Sequence, residues 1–428
     1  MPRPLFEEHE LRRTVVKEMH LRCWPSIAPP SYIIQLLRVG DPADPSLDQA
    51  LTLPRNAVCD QTHDRHLSGV FAGNVSFTCE THSEATTTTL FASVDASEIS
   101  ARLDQLPQLQ DALVWACAMP GKVIRATRIL ICEDEPQAEA LISQTSFNQH
   151  ELVSCHIGTT ATNTGARIWS DFHIRDDGFG MVVIAANDLL PSELARVTQR
   201  LQELGNYRNL ALLGLPIARE GWIVLDAIER DLSRLANDIL DAETDDDRLL
   251  DEITSISVRL TKRASDSDFR MDATQAYGAI VNDRLADLNP RSCGGYLSLA
   301  DFTQRRLLPA LRTCDAHKRR AAQLDARAQQ FAALLRTRID MRIERQNAMV
   351  LESMERNSAR QLRLQQLVEG LSVVALSYYT ISLLAHVLEG AEHVFGIDPG
   401  MAIALATPLV VALVWLTMRQ AKARLHLA

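Results

Sequence analysis

The sequence lacks the short motifs by which nucleotide-binding proteins and hydrolases are commonly recognised. It contains no GxxxxGKS or GxxxxGKT loop, no GxGxxG, no GxSxG and no HExxH. No glycine-rich loop is therefore present to cradle a phosphate group. A Ser/His/Asp or Cys/His arrangement depends on spatial geometry, which a linear sequence does not contain. The sequence accordingly predicts a protein that is not an enzyme.

The chain also lacks an excess of positive charge, since 44 Lys and Arg face 54 Asp and Glu. No Lys/Arg cluster is interleaved with aromatic residues, so we expect no nucleic-acid partner. The eight cysteines have no CxxC spacing, which indicates reduced, mostly buried thiols and neither a disulfide framework nor a zinc site. The opening MPRPLFEEHELRR has no apolar core of a signal peptide, so we expect the bulk of the protein in the cytosol.

Two long segments near the C-terminal end are almost free of charge. Residues 368–388 contain Glu369 and His386 but no other side chain that is charged near neutral pH, and residues 401–418 contain none. About 20 apolar residues in a helix cross the hydrocarbon of a bilayer. Pro408 lies in the second segment, where a membrane helix tolerates it better than a soluble one does. We predict a transmembrane helical hairpin over 367–428, and not a buried helix pair of a soluble core.

Charge asymmetry around the two spans predicts their orientation. The flanking basic residues are Arg356, Arg360, Arg363, Arg419, Lys422 and Arg424, whereas the connecting segment carries Glu389, Glu392 and Asp398. Cytoplasmic loops carry an excess of Lys and Arg. We therefore expect both termini in the cytoplasm and residues 389–400 on the outer side of the membrane.

The segment before the spans has the apolar periodicity of long helices. Two stripes, separated by the acidic turn DAETDDD, consist of Leu225, Ile228, Leu232, Leu235, Ile239, Leu249, Ile253, Ile256 and Leu260. A third helix is predicted to start near Ser298, with a stripe of Leu324, Phe331, Leu335, Ile339, Ile343, Val350 and Met354. Spacings of three and four residues place each stripe on one helix face. Residues 191–366 are thus predicted to form an antiparallel helical or coiled-coil stalk, a surface for homo-oligomers or protein partners.

Residues 1–190 have a different pattern. Short runs rich in Val, Ile, Thr and aromatic residues alternate with turn residues, as is typical of strands. Residues 95–106 and 191–204 have helical patterns. We predict a cytosolic α+β (α/β-like) domain with about six strands.

Carboxylates and imidazoles alternate in two short runs of this domain, which contain Glu80, His82, Glu84, Glu18 and His20. At strand spacing the members of each run share one face, and such a group offers ligands for a divalent cation. Two other interpretations remain open. The residues form a solvated face of an edge strand, or they form ion pairs, with Arg22 as a partner.

Five segments resemble blocks of one bacterial protein family: HELRRTVVKEMHLR, ETHSEATTTTLF, ARIWSDFHIRDDGFGMVVI, NYRNLALLGLPIARE and RLQQLVEGLSVVALSYY. The family comprises proteins that are predicted to be membrane-anchored and carry a domain of unknown function. The resemblance runs from about Glu8 to the C-terminus, with departures at Leu21, Cys23, Trp24 and Thr81. It implies an anchor in the bacterial inner membrane and no particular activity.

The predicted topology is also similar to that of CorA-type magnesium channels, which carry a Gly-Met-Asn signature after the first span. Here Gly400-Met401 is followed by Ala402 and opens the second span. Two hypotheses follow from the sequence. The first is a membrane-anchored, non-enzymatic scaffold or assembly protein, and the alternative is an oligomeric divalent-cation channel or transporter.

Overall fold

The structure is a computed structural model that describes residues 6, 9–18, 24–40, 57–63, 65–71, 75–82, 84–99, 106–159, 164–241, 243–395 and 399–425. The chain divides into two compact units, Met1–Phe331 and Ala332–Ala428. The described helices are α1 (Arg12–Glu18), α2 (Pro107–Cys117), α3 (Glu135–Gln144), α4 (Pro191–Leu212), α5 (Gly214–Leu240), α6 (Asp246–Leu288), α7 (Leu299–Phe395) and α8 (Pro399–Leu425).

The first unit contains one mixed sheet. Its described strands are β1 (Ser31–Val39), β2 (Ala57–His63), β3 (His66–Phe71), β4 (Val75–Thr81), β5 (Ala85–Ser93), β6 (Lys122–Cys132), β7 (Val153–Ile157), β8 (Ala166–Ser170), β9 (Gly180–Ala185) and β10 (Arg291–Ser292). Their order across the sheet is β10-β7-β8-β9-β6-β1-β5-β4-β3-β2. Neighbouring strands are antiparallel except β6 and β9. The sheet confirms an α/β region at the N-terminal end, although the predicted strand number was too low.

Strand β1 lies inside the sheet and is buried along almost its whole length. Its side chains alternate between two apolar clusters. Tyr32 and Ile34 belong to a cluster that includes Leu109 of α2, whereas Ile33 belongs to a cluster that includes Leu194 of α4. A strand that is apolar on both faces requires cover on both sides, and helices provide it here.

The two apolar stripes predicted in the helical segment lie on α5 and α6. Helix α5 ends at Leu240 and α6 begins at Asp246, so the acidic run between them forms the predicted turn. Leu225 and Ile228 on α5 and Ile253 on α6 are buried. The side chain of Asp245 accepts a hydrogen bond from Asp247 N and so caps α6. The description of this segment as a coiled coil stays a prediction.

Helix α7 starts where the sequence predicts. Ser298 Oγ accepts from Asp301 N at 3.1 Å, and Ser298 N donates to Asp301 Oδ2 at 3.2 Å, which is a capping box formed with an aspartate. Along the predicted stripe of this helix, Leu324 and Leu335 are buried. Ile343, Val350 and Met354 are exposed, so this stripe is buried within the chain only in its first part, and its role as a partner surface stays a prediction.

A pair of substitutions on α5 tests the assignment of its faces. Ile228→Ala removes a fully buried side chain, and we expect a loss of about 2–5 kcal/mol in the free energy of unfolding. Ile223→Ala is the matched control, because Ile223 lies on the same helix and is 73% exposed; a change within about 0.5 kcal/mol is expected. Unfolding of the purified full-length protein, followed by circular dichroism, measures both. Equal losses for the two variants would contradict the assigned helix face.

Candidate functional site

The three residues predicted to share one strand face lie around the hairpin between β4 and β5. Strand β4 ends at Thr81, so only Glu80 lies on it. His82 N donates to Ala85 O at 2.8 Å across the turn, and Glu84 directly precedes β5. The predicted single strand face is therefore wrong, because the chain reverses between Thr81 and Ala85.

Glu80 and His82 nevertheless remain neighbours. His82 Nε2 lies 3.9 Å from Glu80 Oε2, and Nδ1 of His66, opposite Glu80 on β3, lies 3.8 Å from Glu80 Oε1. Glu80 and His66 have little solvent exposure. Among the described residues, no group of three or more His, Cys, Asp and Glu side chains has the arrangement of a metal site. Cation binding at Glu80 and His82 stays a prediction.

Glu84 is held by helix α6. Its carboxylate contacts Arg270 twice, with NH1–Oε1 at 3.0 Å and NH2–Oε2 at 2.8 Å. Burial raises the pKa of Tyr277, and the hydrogen bond from its hydroxyl to Glu84 raises that pKa further. Glu84 therefore has the structural ion-pair role that we left open, but its partner is Arg270.

The other predicted ligands cannot be placed in this cluster. His20, and the competing partner Arg22, lie outside the described residues. Glu18 ends helix α1, and its side chain also lies outside the described part of the chain.

A thiol, an imidazole and a carboxylate meet at a second location, which the sequence analysis missed. Cys293 Sγ lies 3.5 Å from His156 Nδ1, and His156 Nε2 lies 3.0 Å from Glu135 Oε1. Glu135 begins α3, His156 lies on β7, and Cys293 follows β10, which pairs with β7. The strand pairing therefore brings Cys293 to His156. In the tautomer in which Nε2–H donates its hydrogen bond to Glu135, Nδ1 is available to accept the thiol proton.

Arg167 completes this group, which we call the Cys293 cluster (Glu135, His156, Arg167 and Cys293). Its NH1 lies 2.6 Å from Glu135 Oε2. Burial by itself raises the pKa of Glu135, but hydrogen bonds from His156 and Arg167, together with their charges, lower it overall. Glu135 thus remains an anion that orients the imidazole. There is free space beside the two glycines after Cys293, because a Cβ added to Gly294 or Gly295 meets no atom within 4 Å.

The second unit carries the two segments predicted as membrane spans. Two helices are long and apolar enough to cross a membrane, Leu299–Val387 and Ile403–Gln420. An 18-residue stretch of each has a mean hydropathy of 1.6 and 1.5, respectively. Their large apolar side chains are exposed, for example Leu371 at 74% and Leu405 at 70%. Thr380 Oγ1 donates to Leu376 O at 2.7 Å, so this hydroxyl is satisfied within its own helix, as hydrocarbon requires.

Comparison with known proteins assigns the chain to a family. Residues 7–425 match the family described as "Protein of unknown function (DUF3422)". The chain belongs to the DUF3422 family. No curated protein and no solved structure matches the chain. The match covers nearly the whole sequence and confirms the expected domain of unknown function, while it assigns no activity to this DUF3422 protein.

Breaking the pair between Arg270 and Glu84 is expected to destabilise the protein strongly. Arg270→Ala leaves Glu84, whose side chain is 3% exposed, without its cation, and loss of one partner of a buried pair costs about 3–5 kcal/mol. Arg234→Ala is the control, because Arg234 is exposed and pairs with Asp231 at the surface; its loss should stay below about 1 kcal/mol. Chemical denaturation of the purified protein compares the two, and equal small losses would show that the pair contributes little.

Proposed function

We propose that this DUF3422 protein is a membrane-anchored interaction or assembly protein of the bacterial inner membrane. In this proposal the two apolar helices span the bilayer, both termini are cytoplasmic, and the helical segments bind protein partners or further copies of the chain. The observation that carries the proposal is the exposure of large apolar side chains along both candidate spans. Exposed apolar surface of this extent marks a membrane or partner interface.

Polar side chains along the spans support a lipid environment. Hydroxyls of Ser372, Thr407 and Thr417 donate to carbonyls of their own helix at 2.7–2.9 Å. His386 Nδ1 lies 2.8 Å from Ser382 O. Such bonds reduce the cost of transferring polar groups into hydrocarbon. We do not favour the channel alternative, because Ala402 follows Gly400-Met401 where an asparagine is required.

Reporter fusions test the proposed topology. Alkaline phosphatase, which is active outside the cytoplasm, is fused after Gly390, and green fluorescent protein is fused to the C-terminus. We expect phosphatase activity from the first fusion and fluorescence from the second, both in the membrane fraction, because the basic flanks should remain in the cytoplasm. Exchanging the reporters provides the control. Cytoplasmic activity at both positions would rule out the two-span topology.

A second candidate function is favoured by the Cys293 cluster. A nucleophile, a base and a residue that orients the base form the arrangement of covalent acyl-transfer enzymes. In such a reaction His156 takes the thiol proton, the sulfur bonds to the acyl carbon, and the leaving group departs with that proton. Water then releases the acid and restores the thiol. The expectation that the protein is not an enzyme stays a prediction, which this site puts to the test.

Alkylation by limiting iodoacetamide, followed by peptide mass spectrometry, measures the reactivity of Cys293. We expect Cys293 to react at least about tenfold faster than Cys117 at pH 7, because His156 Nδ1 lies 3.5 Å from its sulfur and can take the thiol proton during the reaction. Cys117 is the internal control, an exposed thiol on α2. His156→Gln should remove the difference. p-Nitrophenyl acetate should acetylate Cys293 with a burst of p-nitrophenolate, and equal alkylation rates without a burst would eliminate this candidate function.

A further inference from the structure

Two arginines of the first unit lie near each other, and no carboxylate among the described residues pairs with either of them. Arg125 lies on β6, and its NH1 donates to Gln35 Oε1 at 3.0 Å and to Asn206 Oδ1 at 2.8 Å, both neutral amides. Arg208 lies on α4 and is 8% exposed, and its NH1 is buried without a hydrogen-bond partner. The guanidinium of Arg208 instead lies over the Phe172 ring, 4.4 Å from the ring centroid.

Three other buried or half-buried arginines of the same unit are compensated. Arg128 pairs with Asp177, and Arg270 pairs with Glu84. Arg38 donates to Ala116 O at the C-terminal end of α2, where the helix dipole supplies negative partial charge. Among the described residues, Arg125 and Arg208 therefore differ from these three arginines in having no anionic partner.

Arg208 is buried and Arg125 is half-buried, so that holding the two cations near each other is costly. Burial, and to a smaller extent the charge of Arg208, lower the pKa of Arg125 to about 9. Burial likewise lowers the pKa of Arg208. Because a guanidinium keeps its proton near neutral pH, both cations persist and need compensation. An anion from outside the chain would supply it.

A cavity of about 260 Å³ is lined in part by both arginines. It has polar and apolar walls, to which Arg125, Arg208, Asn209, Ile124, Phe172 and Met181 contribute. We propose that this cavity binds a small anion, a carboxylate or a phosphate that carries an apolar group, with its oxygens accepting hydrogen bonds from Arg125 and Arg208. Guanidinium groups match both kinds of anion because they donate in a planar fork.

The backbone at Phe172 holds the site in its binding geometry. Phe172 has a φ of 54°, a strained conformation for a non-glycine residue. Its N–H donates to Ser170 Oγ at 3.2 Å, and its ring stacks on Phe302 with centroids 4.3 Å apart. Arg208 is thereby fixed before a ligand arrives, and a prearranged site avoids much of the ordering cost of binding.

Thermal unfolding of the full-length protein in a neutral detergent tests the proposal. Sodium phosphate and sodium benzoate are titrated at an ionic strength held constant with chloride. We expect at least one of these two probes to raise Tm to a plateau, since a ligand that binds only the folded state stabilises it. Arg208→Met should weaken the apparent affinity for the anion by about tenfold or more, the loss expected for a hydrogen bond to a charged group. Arg200→Met, an exposed arginine on the same helix, should retain the full response.

The Tm without added anion separates a binding role from a structural one. Replacing an uncompensated buried cation by an apolar side chain should leave Tm unchanged or raise it, whereas replacing a structural arginine should lower it. Arg208→Lys provides a second variant, which keeps the charge, loses the fork and should bind more weakly than the wild type. A titration with phosphatidylglycerol in mixed micelles distinguishes sources, because an Arg208-dependent response to this lipid alone identifies a headgroup phosphate. A wild type that responds to none of the three probes, or an equal response in Arg208→Met, overturns the proposal.

Discussion

Burial of the central sheet on both faces is the constraint on which the first unit depends. Strand β1 has apolar side chains toward both sides, so α2 and α4 must cover opposite faces. Any polar group on such a strand must find its partner inside the protein. Gln35 does so on β1, since its Nε2 donates to Thr89 Oγ1 at 3.1 Å and its Oε1 accepts from Arg125. The hydrogen bond that Gln35 accepts on this strand thus also fixes the position of the Arg125 guanidinium.

The same constraint separates two kinds of buried charge in this unit. Glu84 and Arg270 compensate one another and join the β4–β5 hairpin to α6, which accounts for one of the acidic residues in the run that resembles a metal site in the sequence. Arg125 contacts the amides of Gln35 and Asn206, Arg208 contacts the Phe172 and Phe302 rings, and no carboxylate of the described residues pairs with either arginine. Glu84 and Arg270 neutralise each other within the fold. Arg125 and Arg208 still need a negative charge, which we assign to a ligand.

Local patterns were predictable from the sequence and non-local ones were not. The faces of α5 and α6 and the start of α7 at Ser298 depend on spacings of three or four residues, so they can be read directly. The β4–β5 turn was missed because His82 and Glu84 stand where glycine or proline would mark a reversal. The Cys293 cluster could not be predicted, because His156 lies 21 residues from Glu135 and 137 from Cys293. Only the pairing of β7 with β10 brings them together.

Helix α7 changes its chemistry within the second unit without changing its secondary structure. Between residues 332 and 363 its exposed surface carries many arginines, such as Arg356 and Arg360, whereas from Val368 onward its exposed side chains are almost all apolar or hydrogen-bonded to the helix itself. An exposed arginine is stable in water and costly in hydrocarbon, while an exposed leucine has the opposite preference. A helix that continues through both regions fits a solvent that changes along its axis. In the membrane anchor that we propose, a lipid bilayer supplies that change, and the arginines that precede the apolar segment would lie at the side where positive charge is retained.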